Sequence, residues 1–176
     1  GTLTHEHPAH AGPIGIIGST SANALAGEAD VILAIGTRLM DFTTGSWTAF
    51  SPGARFISIN TARWDAHKHR AVAVVGDARA SIGELAEALG DWSAPPSWME
   101  TARAHFRDWN ALLDTHQAPT NAQLPTYAQV VAAVHRHARE NDRLITAAGG
   151  LPGEVVKGWR VKDPGTFDCE FGYSCM

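Results

Sequence analysis

Five consecutive apolar residues, Val31-Ile32-Leu33-Ala34-Ile35, stop at Gly36 and give way to small and polar side chains: Thr37, Arg38, Asp41, Thr43, Thr44, Gly45 and Ser46. An apolar run of this length between turn signals predicts a strand of a parallel sheet, buried on both faces. In open parallel sheets, ligands sit in the loops that leave the carboxyl ends of strands. Gly36 lets the backbone come close to a ligand, and Arg38 offers a planar cationic fork to phosphate or carboxylate. A strand followed by an ordinary surface loop fits the same residues equally well, because short motifs match often by chance.

The pattern repeats downstream. After the turn Ser51-Pro52-Gly53, the segment Arg55-Phe56-Ile57-Ser58-Ile59-Asn60 reads as a second strand. Thr61 to Arg70 is a polar connection, and Ala71-Val72-Ala73-Val74-Val75 reads as a third strand ending at Gly76-Asp77. Asp77 is placed to cap a helix whose apolar face is Ile82, Leu85, Ala86 and Leu89. Strands and connections at this density predict a parallel α/β sheet flanked by helices. Upstream, Gly12, Gly15 and Gly18 recur every three residues before the small-residue stretch Ser19–Ala26. Such a turn can aim backbone N–H groups at a phosphate. It can equally serve the close packing of a helix start, and its GxxGxxG spacing is not the dinucleotide fingerprint. His5, His7 and His10 lie in a polar, loop-like opening segment without the carboxylate or cysteine partners of a metal site.

Pro95-Pro96 interrupts the chain, and Trp98, Ala102, Phe106 (or His105), Trp109 and Leu113 then follow helical spacing as a packing face. Residues 116–125 have the composition of a linker. The expected organisation is therefore a first unit over 1–92, a helix and linker over 93–125, and a second unit over 126–176. Thr126 and Gln129 fit a capping box, ahead of a helix with Tyr127, Val130, Val131, Val134 and Ala138 on its apolar face. His135 and His137 fall about 200° apart around that helix and cannot chelate one metal together. Arg143–Ala147 reads as a strand, left through the glycine-rich exit Ala148-Gly149-Gly150-Leu151-Pro152-Gly153. This is again a strand end opening into residues where a backbone can meet phosphate.

Composition narrows the function classes. With 44% hydrophobic and 18% charged residues the chain is globular, and a net charge of −4 without a basic block points away from nucleic acid and anionic membranes. No apolar run reaches the roughly 20 residues that span a bilayer. Cys169 and Cys175 form neither a zinc pattern nor a disulfide framework, so a reduced, cytoplasmic setting is expected. The chain opens at Gly1 without an initiator Met and stops directly after GYSC, which reads as the interior of a longer protein.

The order of the glycine-rich turn, ADVILAIGTRL, RFISIN, AVAVVGDA, proline-rich linker, helix and DRLITAAGG resembles the thiamine-diphosphate enzymes of the acetolactate synthase type over nearly the whole chain. DFTTGSW (41–47), TYAQVVAAVHRHARENDRLITAAGG (126–150), GLPGEVVKGW (150–159) and FGYSCM (171–176) most resemble a ring-opening hydrolase branch of that family, which cleaves a cyclic trihydroxy-dione in inositol breakdown. The resemblance implies most of a Rossmann-like middle domain, short of its first strands, followed by the truncated start of the diphosphate-binding domain.

It also implies thiamine diphosphate and Mg²⁺ as cofactors, a small-molecule substrate, C–C bond cleavage, and self-association as a dimer or tetramer. On the resemblance, Gly149, Gly150 and Leu151 meet the diphosphate through their backbone. Met176 wedges between the cofactor's two rings, with Ser174 and Cys175 beside it. Gly15, Gly18, Arg38 and Asp41 stand where flavin-bearing relatives hold FAD. FAD itself is not expected, because DFTTGSW departs from the synthase loop. The activating glutamate and the metal-binding motif have no counterpart among these residues, so no catalytic or metal ligand is assigned, and the 176 residues alone are expected to be inactive. Two alternatives stand: a flavin-containing carboligase of the acetolactate synthase type, and a non-catalytic nucleotide-binding or assembly module.

Overall fold

The computed structural model describes residues 2–170. A parallel three-stranded sheet, ordered β1 (Val31–Ile35), β2 (Arg55–Asn60) and β3 (Val72–Val75), forms the first unit. Helix α1 (Thr20–Glu28) precedes β1, and the short α2 (Asp41–Thr44) lies between β1 and β2. The connection over 61–70 is not a plain loop: it carries α3 (Arg63–Ala66) and a 3₁₀ turn (Lys68–Arg70). Helix α4 (Ala78–Leu89) follows β3, started by Asp77, whose Oδ1 accepts from the Ala80 N–H at 3.0 Å.

The register decides which side chains share a face. Ile32 pairs with Phe56 and Ala34 with Ser58, while Leu33 pairs with Ile57 and Ile35 with Ile59. The Ala34–Phe56 side is closed by Ala26 of α1 together with Leu39, Phe50 and Trp47 from the β1–β2 connection. The opposite side corrects the expectation of a strand covered on both faces. Val31, Leu33 and Ile35 remain 41%, 42% and 39% exposed. The main helix contacts to the sheet come from α3 and α4 and fall on β2 and β3, so they shield Ile59 and leave β1 open. A continuous apolar run records that both faces of a strand are apolar; it does not record which elements cover them.

Helix α5 (Pro96–His116) packs along α1, with Trp109 and Leu113 buried and His105 Nε2 3.0 Å from Glu28 Oε1. The second unit contains α6 (Tyr127–His137), β4 (Leu144–Thr146), α7 (Gly150–Gly158) and β5 (Phe167–Cys169). The capping box of α6 is formed in both directions: Thr126 Oγ1 accepts from the Gln129 N–H at 3.3 Å, and Gln129 Oε1 accepts from the Thr126 N–H at 2.9 Å. Strand β5, which no sequence pattern announced, pairs parallel with β4, so the fold is α/β with parallel sheets in both units.

Candidate diphosphate-facing turn

The exit from β4 is built by glycine. Gly149 has φ 135° and ψ −178°, a combination that side chains exclude, and it turns the chain from the carboxyl end of β4 straight into α7. Gly149, Gly150 and Leu151 are all exposed there. The N–H groups of Gly150 and Leu151 belong to the first turn of α7, where a helix supplies no acceptor of its own. Among the described residues no side chain caps this helix, and its first residues are exposed. A strand carboxyl end, a positive-φ glycine and two first-turn amides on exposed residues can together receive an anionic oxygen through backbone alone.

Two neighbours of this turn carried no functional signal in the sequence. A Cβ on Gly150 would stand 3.2 Å from Cε2 of Tyr127, so the Tyr127 ring flanks the turn. Tyr127 reads as one more apolar residue of a helix, and nothing local reveals that α6 and α7 pack together. A Cβ on Gly153 would lie 3.6 Å from Cγ2 of Ile17, which sets α7 beside the glycine-rich turn of the first unit.

That first turn is arranged differently. The Gly15 N–H donates to Asn23 Oδ1 at 2.9 Å, and Asn23 Nδ2 donates back to the Gly15 carbonyl at 2.9 Å. The N–H groups of Ile16, Gly18 and Ser19 donate to the carbonyls of Phe42, Gly15 and Pro13. Any side chain at Gly15 would collide with the Phe42 carbonyl, and one at Gly18 with the Pro13 carbonyl. Of the two readings left open for this turn, close packing accounts for its amides. Arg38 and Asp41 are exposed after β1, and Asp41 Oδ2 accepts from Ser46 Oγ at 3.1 Å. Gly36 has φ 63° with open space around its Cβ position, so β1 does end in an accessible loop. The later part of that loop turns inward: Gly45, Ser46 and Trp47 all have positive φ, and the Trp47 ring packs against Phe50 and Phe56.

Ser174, Cys175 and Met176 lie outside the described residues. Among the described residues no group of three or more His, Cys, Asp or Glu could hold a metal ion. No helix there is long and apolar enough to cross a membrane. Burial pushes the Cys169 thiol above its ordinary range, with Glu170 adding to the effect, which disfavours the thiolate.

Residues 1–85 match the family model for the thiamine pyrophosphate enzyme central domain. This part of the chain belongs to the thiamine pyrophosphate enzyme central domain. Among curated proteins, a 3D-(3,5/4)-trihydroxycyclohexane-1,2-dione hydrolase from Geobacillus thermodenitrificans is 35% identical over 100% of this chain. Proteins of the same name from two strains of Listeria monocytogenes are 31% and 33% identical over 99% of the chain. The chain spans 31% of the length of each of these relatives. The thiamine pyrophosphate central domain thus coincides with the unit built on β1, β2 and β3, and the likeness to the hydrolases continues through the second unit.

Proposed function

We propose that this chain is part of a thiamine-diphosphate-dependent hydrolase that opens the ring of a trihydroxycyclohexane-1,2-dione by C–C cleavage to 5-deoxyglucuronate. The observation that carries the reading is the exposed helix start at Gly150 and Leu151, just past the carboxyl end of β4, in a chain 35% identical throughout to a hydrolase of that name. When bound, thiamine diphosphate supplies an electron sink for breaking a C–C bond next to a carbonyl. The chain's own residues bind and orient. Gly149 opens the turn, Gly150 and Leu151 donate N–H groups to terminal phosphate oxygens, and the α7 N-terminus adds favourable partial charge. Tyr127 borders the turn. Met176 supplies an apolar contact to the cofactor, flanked by Ser174 and Cys175. Mg²⁺ takes its protein ligands from residues beyond this chain.

The intact protein is a cytoplasmic dimer or tetramer acting on a small molecule, with no nucleic-acid or membrane partner. The 176 residues alone lack activity. The first unit keeps a nucleotide-type fold without flavin, since the amides of Gly15, Ile16, Gly18 and Ser19 are already bonded within the chain. The experiment is ring-opening of the dione by the full-length protein, followed with and without added thiamine diphosphate and Mg²⁺. Leu151→Pro removes one N–H at a helix position that tolerates proline. It is expected to raise the KM for thiamine diphosphate about tenfold, the worth of one charge-assisted hydrogen bond. Turnover without thiamine diphosphate, or a yellow protein that needs FAD, would overturn the reading.

A further inference from the structure

The segment before the first glycine turn is fastened to the rest of the molecule by histidines that the proposed chemistry does not use. The His5 N–H donates to the Val161 carbonyl at 2.8 Å, tying residues 2–12 to the strap that follows α7. The His5 ring reaches α5, with Nε2 2.9 Å from Asn110 Oδ1. Asn110 Nδ2 donates to the Phe106 carbonyl at 2.8 Å, which fixes its Oδ1 as the acceptor. His5 Nε2 therefore carries the proton, and Nδ1 of the neutral ring bears a lone pair. His10 packs edge-on against His5 and Phe106, at ring-centroid distances of 5.6 and 5.3 Å. Its Nδ1 is buried with no hydrogen-bond partner among the described residues. Both rings line a cavity of about 430 Å³ shared with Leu3, Trp109, Val156 and Phe167.

Burial disfavours charge on both imidazoles. At His10 Nδ1 an unbonded lone pair in an apolar setting costs little, whereas an N–H⁺ at the same buried place lacks an acceptor. The charged groups facing the pair add no strong counter-charge. Arg160 and His10 face His5 with like charge, Glu6 is its one acidic neighbour among the described residues, and His7 faces His10. Lys157 borders the cavity and is paired with Glu154 at 2.9 Å, and Arg160 is paired with Asp114 of α5. We propose that His5 and His10 form an acid-released latch, which docks residues 2–12 onto α5 and the 159–161 strap while both rings are neutral and frees that segment when they are protonated.

The direction follows from burial. It pushes both imidazoles below the ordinary histidine value of about 6.5, against smaller raising effects from Asn110 on His5 and from the His5 backbone on His10. The undocked segment then binds protons more readily than the docked one. Docking is at full strength above about pH 6.5 and weakens as pH falls through the lowered values.

The test is hydrogen exchange at the His5 amide between pH 7.5 and 5.5, corrected for the intrinsic rate, with NMR titration of the two imidazole C–H signals alongside. The latch requires both titration midpoints below that of an unstructured histidine. It also requires His5 amide protection to fall by about tenfold or more across the range, with amides of β2 unchanged. His10→Phe keeps the aromatic packing and removes one titrating ring, so its protection falls less on acidification. If that variant does not fold, the midpoints of the unaltered protein decide alone. Midpoints at or above the unstructured value, or protection that ignores pH, would overturn the proposal.

Discussion

Two glycine clusters in this chain look alike as sequence and are used in opposite ways. Gly12–Gly18 and Gly149–Gly153 both stand next to a small-residue helix. In the first, the amides of Gly15, Ile16, Gly18 and Ser19 are bonded inside the chain, and the Phe42 and Pro13 carbonyls fill the places where side chains would be. In the second, Gly150 and Leu151 are exposed at a helix start that no side chain caps among the described residues. Glycine marks a place where something approaches the backbone closely. Whether that is another stretch of the same chain or a ligand depends on partners far away in sequence.

The sharpest way to break this contrast is to place the same methyl group in both. Gly15→Ala meets the Phe42 carbonyl at a φ of 114° and should cost about 4 kcal/mol or prevent folding, read from the denaturant midpoint. A change within about 0.5 kcal/mol would mean that this turn is open after all. The two sheets extend the comparison. Ile59 of β2 is 1% exposed and Ile145 of β4 is 77% exposed. Ile59→Ala should cost about 3 kcal/mol, and Ile145→Ala no more than about 0.5 kcal/mol, in parallel urea titrations. Comparable losses would show that the second sheet buries what the first one does. Thr126→Ala removes one half of the α6 capping box and should cost about 1 kcal/mol, seen as a lower thermal midpoint. Gly150→Ala completes the pair with Gly15→Ala. The atoms nearest its methyl group belong to the exposed Tyr127 ring, so stability should shift by less than about 0.5 kcal/mol.

Local chemistry made much of this architecture legible. The strands at β1, β2 and β3, the Asp77 cap and the Thr126–Gln129 box are each dictated within a few residues, and they appear where pattern placed them. What escaped the sequence is set by contacts between distant segments. The open face of β1 depends on which strands α3 and α4 reach. Strand β5 is three residues, Phe167–Cys169, too short to carry a periodic signal. DFTTGSW reads as a ligand loop, yet Trp47 lies with Phe50 and Phe56, because the left-handed run at Gly45, Ser46 and Trp47 swings the ring inward. At the candidate site the glycine exit was legible, and Tyr127 beside it was not, since its place follows from the packing of α6 on α7.

Amide hydrogen exchange of the full-length protein, with and without thiamine diphosphate and Mg²⁺, tests the central contrast most directly. The cofactor is expected to slow exchange at Gly150 and Leu151 and to leave Gly15, Ile16 and Gly18, protected from the outset, unchanged. Protection gained at Gly15–Gly18 with none at Gly150 and Leu151 would contradict it.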